Sequence, residues 1–459
     1  MFDYSPNDTI IAVSTPPGRG GIGIVRLSGK AALPIALKIF RPKKSVPRIL
    51  PGRAILGNLV DPVRGEPFDE AYLIYFRAPH SYTTQSVVEI SGHGSPVVQE
   101  EVLRLGTIFG ARLALPGEFT LRAYLGGRID VLQAEAVDDL IRAANFRSAR
   151  KAFGHLDGGL STKMDGLRRR IVEILARIEA AIEFPDEKLP VSPRKIAAGI
   201  RSMIKDLEGL IASYDAGRVL LEGVTLAIAG RVNVGKSTLF NALLEHERAI
   251  VTPFPGTTRD FIREKIRIKD IYFNLVDMAG LRRPSTAVER EGIRRSREIA
   301  AQADGILFLF DASKKDIAED LVLLDELKDK KAILIVNKID LGRKTDLGKV
   351  RSRFGRRPLL EISALRGTNL ARLKDTIHRT FAPRIDDRGE VIFHLRQKLA
   401  LEEMLTRLCR AEQLMSEGHP EEMYVEEIRE IVPALGRFLG EIRSEDVIAD
   451  IFSRFCVGK

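Results

Sequence analysis

Gly230-Arg231-Val232-Asn233-Val234-Gly235-Lys236-Ser237 follows a short apolar run, Val224 to Ala229, and precedes a helical run, Thr238 to Leu244. A Gly-x-x-x-x-Gly-Lys-Ser sequence between a strand and a helix reads as a P-loop. Its two glycines let the backbone wrap closely around phosphate oxygens. The loop amides, from Asn233 and Val234 through Gly235 to Thr238, and the positive end of the new helix then face the anion. Lys236 is expected to reach the β- and γ-phosphates and Ser237 to hold Mg²⁺. An ordinary glycine-rich turn is the alternative, and the segments downstream weigh against it.

Asn337-Lys338-Ile339-Asp340 comes directly after the buried-strand pattern Ala332 to Val336. A carboxylate at the end of such a strand can accept hydrogen bonds from N1–H and the exocyclic amine of guanine. Adenine presents no such donor pair, and polar mismatches of this type discriminate strongly, so GTP is expected over ATP. Asn337 and Lys338 are expected to brace the loop, with the Lys stem over the base. Ser363-Ala364-Leu365 follows another short apolar run, Leu359 to Ile362, and offers a backbone amide to the guanine carbonyl.

Asp277-Met278-Ala279-Gly280 follows the strand-like Ile271 to Val276. The Asp suits a water-mediated contact to Mg²⁺, and Gly280 can offer its amide to the γ-phosphate. Gly256-Thr257-Thr258-Arg259-Asp260 lies between this motif and the P-loop. A Thr there can complete the Mg²⁺ shell with GTP bound and let go after hydrolysis. The two segments therefore read as switches.

Small GTPases carry a water-orienting Gln just after the Asp-x-x-Gly sequence. Here that place is Leu281, which cannot orient water, while Glu289 and Glu291 lie nearby. Arg259, Arg282 and Arg283 are available, but none is assigned as an arginine finger. A monovalent cation is another source of positive charge, with Asn233 as an oxygen ligand.

The 459 residues are 44% apolar and 29% charged, a globular composition with room for about three domains. The start, Met1 to Asp8, lacks a basic region followed by an apolar one, and the longest apolar runs, such as Ile306 to Phe310, are too short to span a bilayer. With only Cys409 and Cys456, no disulfide framework or zinc cluster is expected, and a cytoplasmic setting follows. The net charge of +10 is compatible with RNA or another polyanion, although no long Lys/Arg block occurs and Arg168-Arg169-Arg170 is the densest short run.

Leu167, Ile171, Ile174, Leu175, Ile178 and Ile182 recur at helical spacing before the P-loop region, and Leu401, Met404, Leu405 and Leu408 do so after it. The Pro-rich Leu189 to Pro193 and the charged Arg384 to Gly389 are the breaks. The simplest arrangement is one all-helical domain made of both flanks, with a mostly parallel α/β nucleotide domain inserted into it. The expected limits are 1–122 for a first α+β domain, 123–218 and 384–459 for the helical parts, and 219–383 for the nucleotide domain.

In that first domain Pro16-Pro17-Gly18-Arg19-Gly20-Gly21 precedes the strand-like Ile22 to Val25, without the Lys-Ser/Thr of a P-loop. It reads as a tight loop permitting close backbone approach. Strand-like Ala71 to Phe76 and Val87 to Ile90 and helix-like Val97 to Leu105 follow. Arg26, Glu89 and Arg128 could recognise a polar ring and a carboxylate, or be ion-paired surface residues. Cys456, four places from the end, reads as a reactive thiol or as a residue of a loose tail.

Thr15-Pro16-Pro17-Gly18-Arg19-Gly20-Gly21, Gly92-His93-Gly94, Pro116-Gly117-Glu118-Phe119, Phe184-Pro185-Asp186-Glu187, the inserted GTPase with its Gly-Thr-Thr-Arg-Asp segment, and Cys456-Val457-Gly458-Lys459 occur in that order. In this combination the chain resembles the MnmE (TrmE) family of tRNA modification GTPases over essentially its full length.

The resemblance implies a homodimer joined through N-terminal domains that bind 5-formyltetrahydrofolate or a related tetrahydrofolate, with Arg26, Glu89 and Arg128 at the matching positions. Arg128 stands where some relatives have Lys. The resemblance also implies K⁺ held at Asn233, Thr252, Phe254 and Thr257, and Mg²⁺ at Ser237 and Thr258. With the intervening Pro253, Pro255 and Gly256, these join the GTP-binding set. Glu289 matches the acid that orients attacking water, and Cys456 is a candidate nucleophile or essential terminal residue. Val232 and Met278 depart from the usual Pro and Thr, without removing a phosphate or metal ligand. With FAD-containing MnmG, in a heterotetramer or larger complex, such a protein adds an aminomethyl-type group at C5 of the wobble uridine in certain tRNAs. The folate supplies the carbon and GTP hydrolysis drives domain movement.

A ribosome-assembly GTPase without one-carbon chemistry is the other reading. It needs neither the folate-like set nor a terminal Cys, and it usually carries an RNA-binding module not found here. No amphipathic basic helix or lipidation motif supports a membrane role.

Overall fold

The structure, a computed structural model, describes residues 7–184 (46 and 144 apart), 192–245, 263–277, 303–383, 389–441 and 451–459 (454 and 456 apart). The chain divides into two compact units, one of residues 1–141, 152–206 and 400–459, the other of residues 142–151 and 207–399.

The first unit carries a seven-stranded sheet. Its strands are β1 (Thr9–Val13), β2 (Gly20–Ser28), β3 (Phe40–Pro42), β4 (Ala54–Val60), β5 (Pro67–Phe76), β6 (Val87–Gly94) and β7 (Ala111–Leu113), in the order β3-β4-β5-β6-β2-β1-β7. All pairs are antiparallel except β1 with β7. Helices Ala32–Ile39 and Pro96–Ile108 contribute Ile35, Ile39, Val102 and Leu105 to a core with Leu27, Leu73 and Val88. Each such side chain, fully buried, is worth roughly 1.5–3 kcal/mol. The expected strands and helix of this region all appear, each longer than its apolar run.

The glycine-rich segments meet where β2 pairs with β6. A Cβ on Gly23 would lie 2.0 Å from Gln99 Nε2, and one on Gly94 would lie 2.5 Å from the Gly20 carbonyl oxygen. Close backbone approach therefore requires glycine at Gly94, whereas Gly23 leaves room for the end of the Gln99 side chain. Helix Glu118–Leu125 starts from Gly117 at φ +67°. Its Glu118 accepts from Arg112 Nη2 at 2.6 Å and Arg122 Nη2 at 2.9 Å, and the Arg122 side chain is fully buried. Both guanidinium groups also reach Asp8. Burial opposes the Asp8 charge, but the two arginines hold its carboxyl below the usual range. This charge-satisfied knot ties β1, β7 and the helix together, as a buried charge requires.

Helix Gly159–Glu183 buries Leu167, Ile171, Ile174, Leu175 and Ile178 of the stripe read from spacing, while Ile182 near its end is half-buried. It packs against helices Glu421–Arg429 and Ile431–Leu439. Leu401, Met404 and Leu408 are likewise buried on helix Leu395–Ser416. Phe452 and Phe455 pack with Leu121 and Tyr124. Gly458 lies against β1, where a Cβ would fall 2.1 Å from the Val13 carbonyl oxygen, and Ser14 Oγ donates to the Gly458 carbonyl at 3.2 Å. The end of the chain is thus docked rather than loose, although Cys456 itself lies outside the described residues.

The second unit holds six strands, β8 (Val224–Gly230), β9 (Arg263–Ile268), β10 (Ile271–Asp277), β11 (Gly305–Asp311), β12 (Ala332–Asn337) and β13 (Leu359–Glu361), in the order β13-β12-β11-β8-β10-β9. Every pair is parallel except β9 with β10. All residues of β11 and β12 are buried, which explains their unbroken apolar runs. The mostly parallel α/β sheet agrees with the expected class. No helix among the described residues is long and apolar enough to cross a membrane.

Candidate functional site

In an open parallel sheet, ligands gather at the carboxyl ends of the strands. Here those ends are Gly230, Asp277, Asp311 and Asn337. Gly230 has φ +142°, and a Cβ there would sit 2.6 Å from the Leu309 carbonyl oxygen. Gly235 has φ +97°, and its Cβ would lie 2.3 Å from Asn337 Nδ2. Both P-loop glycines are therefore required by conformation and by space. Helix Lys236–Glu245 then begins at the loop, directing its positive end there.

Lys236 is 8% exposed, and its ammonium donates to the carbonyls of Gly230 at 3.1 Å and Arg231 at 2.9 Å. Burial lowers its pKa, and the Asp277 charge opposes this only in part. A triphosphate would supply the counter-charge that the ammonium lacks. Ser237 Oγ donates to Asp277 Oδ2 at 3.1 Å, while Asp277 Oδ1 is buried with no partner among the described residues. A hydroxyl beside an unsatisfied carboxylate oxygen fits a hydrated Mg²⁺. Among the described residues no cluster of three or more His, Cys, Asp or Glu could hold a metal, so such an ion would rely on the nucleotide for its remaining oxygens.

Asn337 is buried and bridges two loops. Its Nδ2 donates to the Val234 carbonyl at 2.9 Å, and its Oδ1 accepts from the Ala364 amide at 2.9 Å. Lys338, at φ +67°, donates to the Asn233 carbonyl and to Asp311 Oδ2, the latter at 2.7 Å. Asp311 also accepts from Ser313 N at 2.9 Å and Ser313 Oγ at 2.7 Å. Burial works against its charge, but Lys338 and Ser313 hold its carboxyl below the usual range. The expected bracing by Asn337 and Lys338 is present, with Asp311 as a partner that the motifs did not supply. Its signal was its position: an acid closing an apolar strand, as Asp277 does.

Asp340 is exposed beside this brace. The Ser363 hydroxyl donates to its Oδ1 at 2.5 Å, and that bond, first among the causes, lowers its pKa. Each amide of the Ser363 loop has a different fate. Ala364 N serves Asn337, Arg366 N donates to Ser363 Oγ at 3.2 Å, and Leu365 N has no partner among the described residues. Thr238 and Asn233 are exposed at the P-loop rim, and Val234 is buried beneath it. Thr252, Pro253, Phe254, Pro255, Gly256, Thr257, Thr258, Met278, Ala279, Gly280 and Glu289 lie outside the described residues.

In the first unit, Arg26 and Glu89 are cross-strand partners of β2 and β6, with Arg26 Nη2 2.7 Å from Glu89 Oε1. Both are half-buried, and both Arg26 contacts go to Oε1, which leaves Oε2 facing no described donor. The Arg26 guanidinium lies 5.7 Å from the ring centres of Tyr82 and Phe119. Arg128 lies 4.9 Å from the Tyr82 ring and donates to the Tyr82 carbonyl at 2.9 Å. Tyr82 Oη pairs with Thr120 Oγ1 at 2.9 Å, and burial raises its pKa. Two arginines distant in sequence, Arg26 and Arg128, thus converge on one aromatic ring, and Glu89 is paired to the first of them. Tyr82 belongs to none of the sequence motifs, and nothing in its own neighbourhood signals this position.

The family description “GTP-binding protein TrmE N-terminus” matches residues 9–128, and “MnmE helical domain” matches residues 131–456. The tRNA modification GTPase MnmE of Aquifex aeolicus is 41% identical over 98% of this chain and 100% of its own. That of Thermoanaerobacter pseudethanolicus is 41% identical over 98% of this chain and 99% of its own. That of Moorella thermoacetica is 41% identical over 99% of this chain and 100% of its own. With such identity sustained along the whole of each partner, the chain belongs to the MnmE family of tRNA modification GTPases.

Proposed function

We propose that this GTPase works with an FAD-containing MnmG partner to install an aminomethyl-type group at C5 of the wobble uridine of certain tRNAs. The carbon comes from a tetrahydrofolate bound at Arg26, Glu89 and Arg128. The observation that carries the folate part is the convergence of Arg26 and Arg128 on the Tyr82 ring, with Glu89 paired to Arg26. A pterin's ring donors suit Glu89 Oε2, its face suits the aromatic ring, and the folate carboxylates suit the arginines. The setting is cytoplasmic, and the working unit is a homodimer joined through the first domains. The match of the helical family description from 131 to 456, across the six-stranded sheet, supports reading the nucleotide domain as an insertion.

At the nucleotide, the loop amides and Lys236 cradle the phosphates, and Asp340 accepts from guanine. Because Ala364 N serves Asn337, the guanine carbonyl falls to Leu365 N. Ser237 and Thr258 would hold Mg²⁺, which neutralises charge on the β- and γ-oxygens. Asn233, Thr252, Phe254 and Thr257 would hold K⁺ as a further charge against the same oxygens. Glu289 orients the attacking water, and Cys456 serves the modification step.

Mass spectrometry of tRNA nucleosides from cells lacking this protein tests the reading. The C5-substituted wobble uridine should disappear, with unmodified uridine rising in its place, and both should revert on re-expression. An unchanged nucleoside profile would reject it.

A further inference from the structure

The chain's positive charge is unevenly spread. Residues 343–357 carry seven Lys or Arg and one acid, Asp346, a net +6 out of the chain's +10. They form the loop and helix Leu347–Phe354 between β12 and β13, starting three residues beyond Asp340. Some of this charge is spent locally. Arg343 pairs with Glu361 at 3.3 Å, Arg353 with Asp325, and Arg357 donates to the Lys328 carbonyl at 2.5 Å. Asp346 accepts from Gly348 N at 2.9 Å as the helix cap. Lys344, Lys349, Arg351 and Arg356 are all exposed, with no acid in ion-pair range among the described residues. By contrast, Arg168 and Arg170 of the densest run pair with Glu441 at 2.5 Å and Asp206 at 2.6 Å.

The face is also held in place. Lys344 N and Thr345 N both donate to the Ala312 carbonyl, and buried Thr345 donates through its hydroxyl to the Asp311 carbonyl at 2.8 Å. The helix's apolar residues are committed inward, with Val350 in the core and Leu347 and Phe354 packed on it. The exposed side is therefore cationic without an apolar stripe to enter a bilayer.

We propose that this basic segment, through Lys344 and Arg356 at its two ends and Lys349 and Arg351 on two sides of its helix, docks the phosphate backbone of RNA. The identity of that RNA as tRNA rests on the function proposed above. Cations spaced along a fixed, polar segment match a chain of phosphates rather than base edges, so the segment positions RNA rather than reading its sequence.

The test is tRNA binding by the full-length protein over a range of salt. It compares wild type, a variant with these four residues changed to Gln, and a control variant with the exposed Lys30, Lys44, Arg48 and Arg53 changed to Gln. The first variant should bind about tenfold more weakly near 0.15 M salt, its log–log salt slope should fall by about three, and its GTP turnover without RNA should stay at the wild-type rate. The control should keep both affinity and slope. Unchanged binding by the first variant, or equal weakening in both, would overturn the proposal. So would loss of binding to a protein partner with RNA binding intact, which would make the face a protein contact. A wild-type protein that binds no tRNA and a cell that keeps its wobble modification without it would instead strike the parent reading. A variant that fails only here leaves that reading standing.

Discussion

Changing Asp340 to Asn should weaken GTP binding by roughly 10³-fold or more and should create affinity for xanthosine triphosphate. The carboxylate has two oxygens with about four acceptor positions. Ser363 uses one of them, which leaves acceptors for the two guanine donors. An Asn side chain replaces one oxygen with an amide donor, which faces the guanine amine unfavourably and the xanthine carbonyl favourably. The Ser363 bond keeps the native carboxyl ionised to lower pH than usual, so wild-type GTP binding should not weaken through this group between pH 5 and 8. Titration calorimetry with both nucleotides measures the exchange. Equal GTP affinity in the variant would remove Asp340 from the base site.

Changing Glu289 to Ala should leave GTP and GDP affinity near wild type and lower turnover by roughly 10²–10³-fold, the usual scale for losing a general base or water-positioning group. The reason lies in Leu281, which follows the Asp-x-x-Gly motif where small GTPases have a water-orienting Gln. An apolar side chain there cannot hold the attacking water, so the task passes to another group. Single-turnover hydrolysis in K⁺ buffer separates this loss from binding. A variant that hydrolyses GTP at the native rate would show that Glu289 does not orient the water.

The chemistry of the nucleotide site was legible because its parts are short and contiguous. A P-loop, a base-reading loop and strand-length apolar runs each declare themselves within about ten residues. What stayed hidden depends on pairing across the fold. Asp311 meets Lys338 across a separation of 27 residues, through the parallel register of β11 and β12. Arg26 and Glu89 face each other only because β2 and β6 pair in one register, and a slip of one residue would point them apart. Tyr82 is central to the folate candidate because Arg26 and Arg128 both fold over it, which no local pattern encodes. The basic face escaped for a related reason. Its seven cations are spaced across a loop and a helix, whereas the contiguous run is Arg168 to Arg170, two of which are ion-paired.

In the proposed function one phosphate cradle, from Gly230 to Ser237, works together with one guanine-selective carboxylate. Titration of the purified wild-type protein with GTP and with ATP, in Mg²⁺ and K⁺, decides whether it does. Saturable heat with GTP and none with ATP at the same concentrations is the predicted result. Binding of ATP as tight as that of GTP would contradict it.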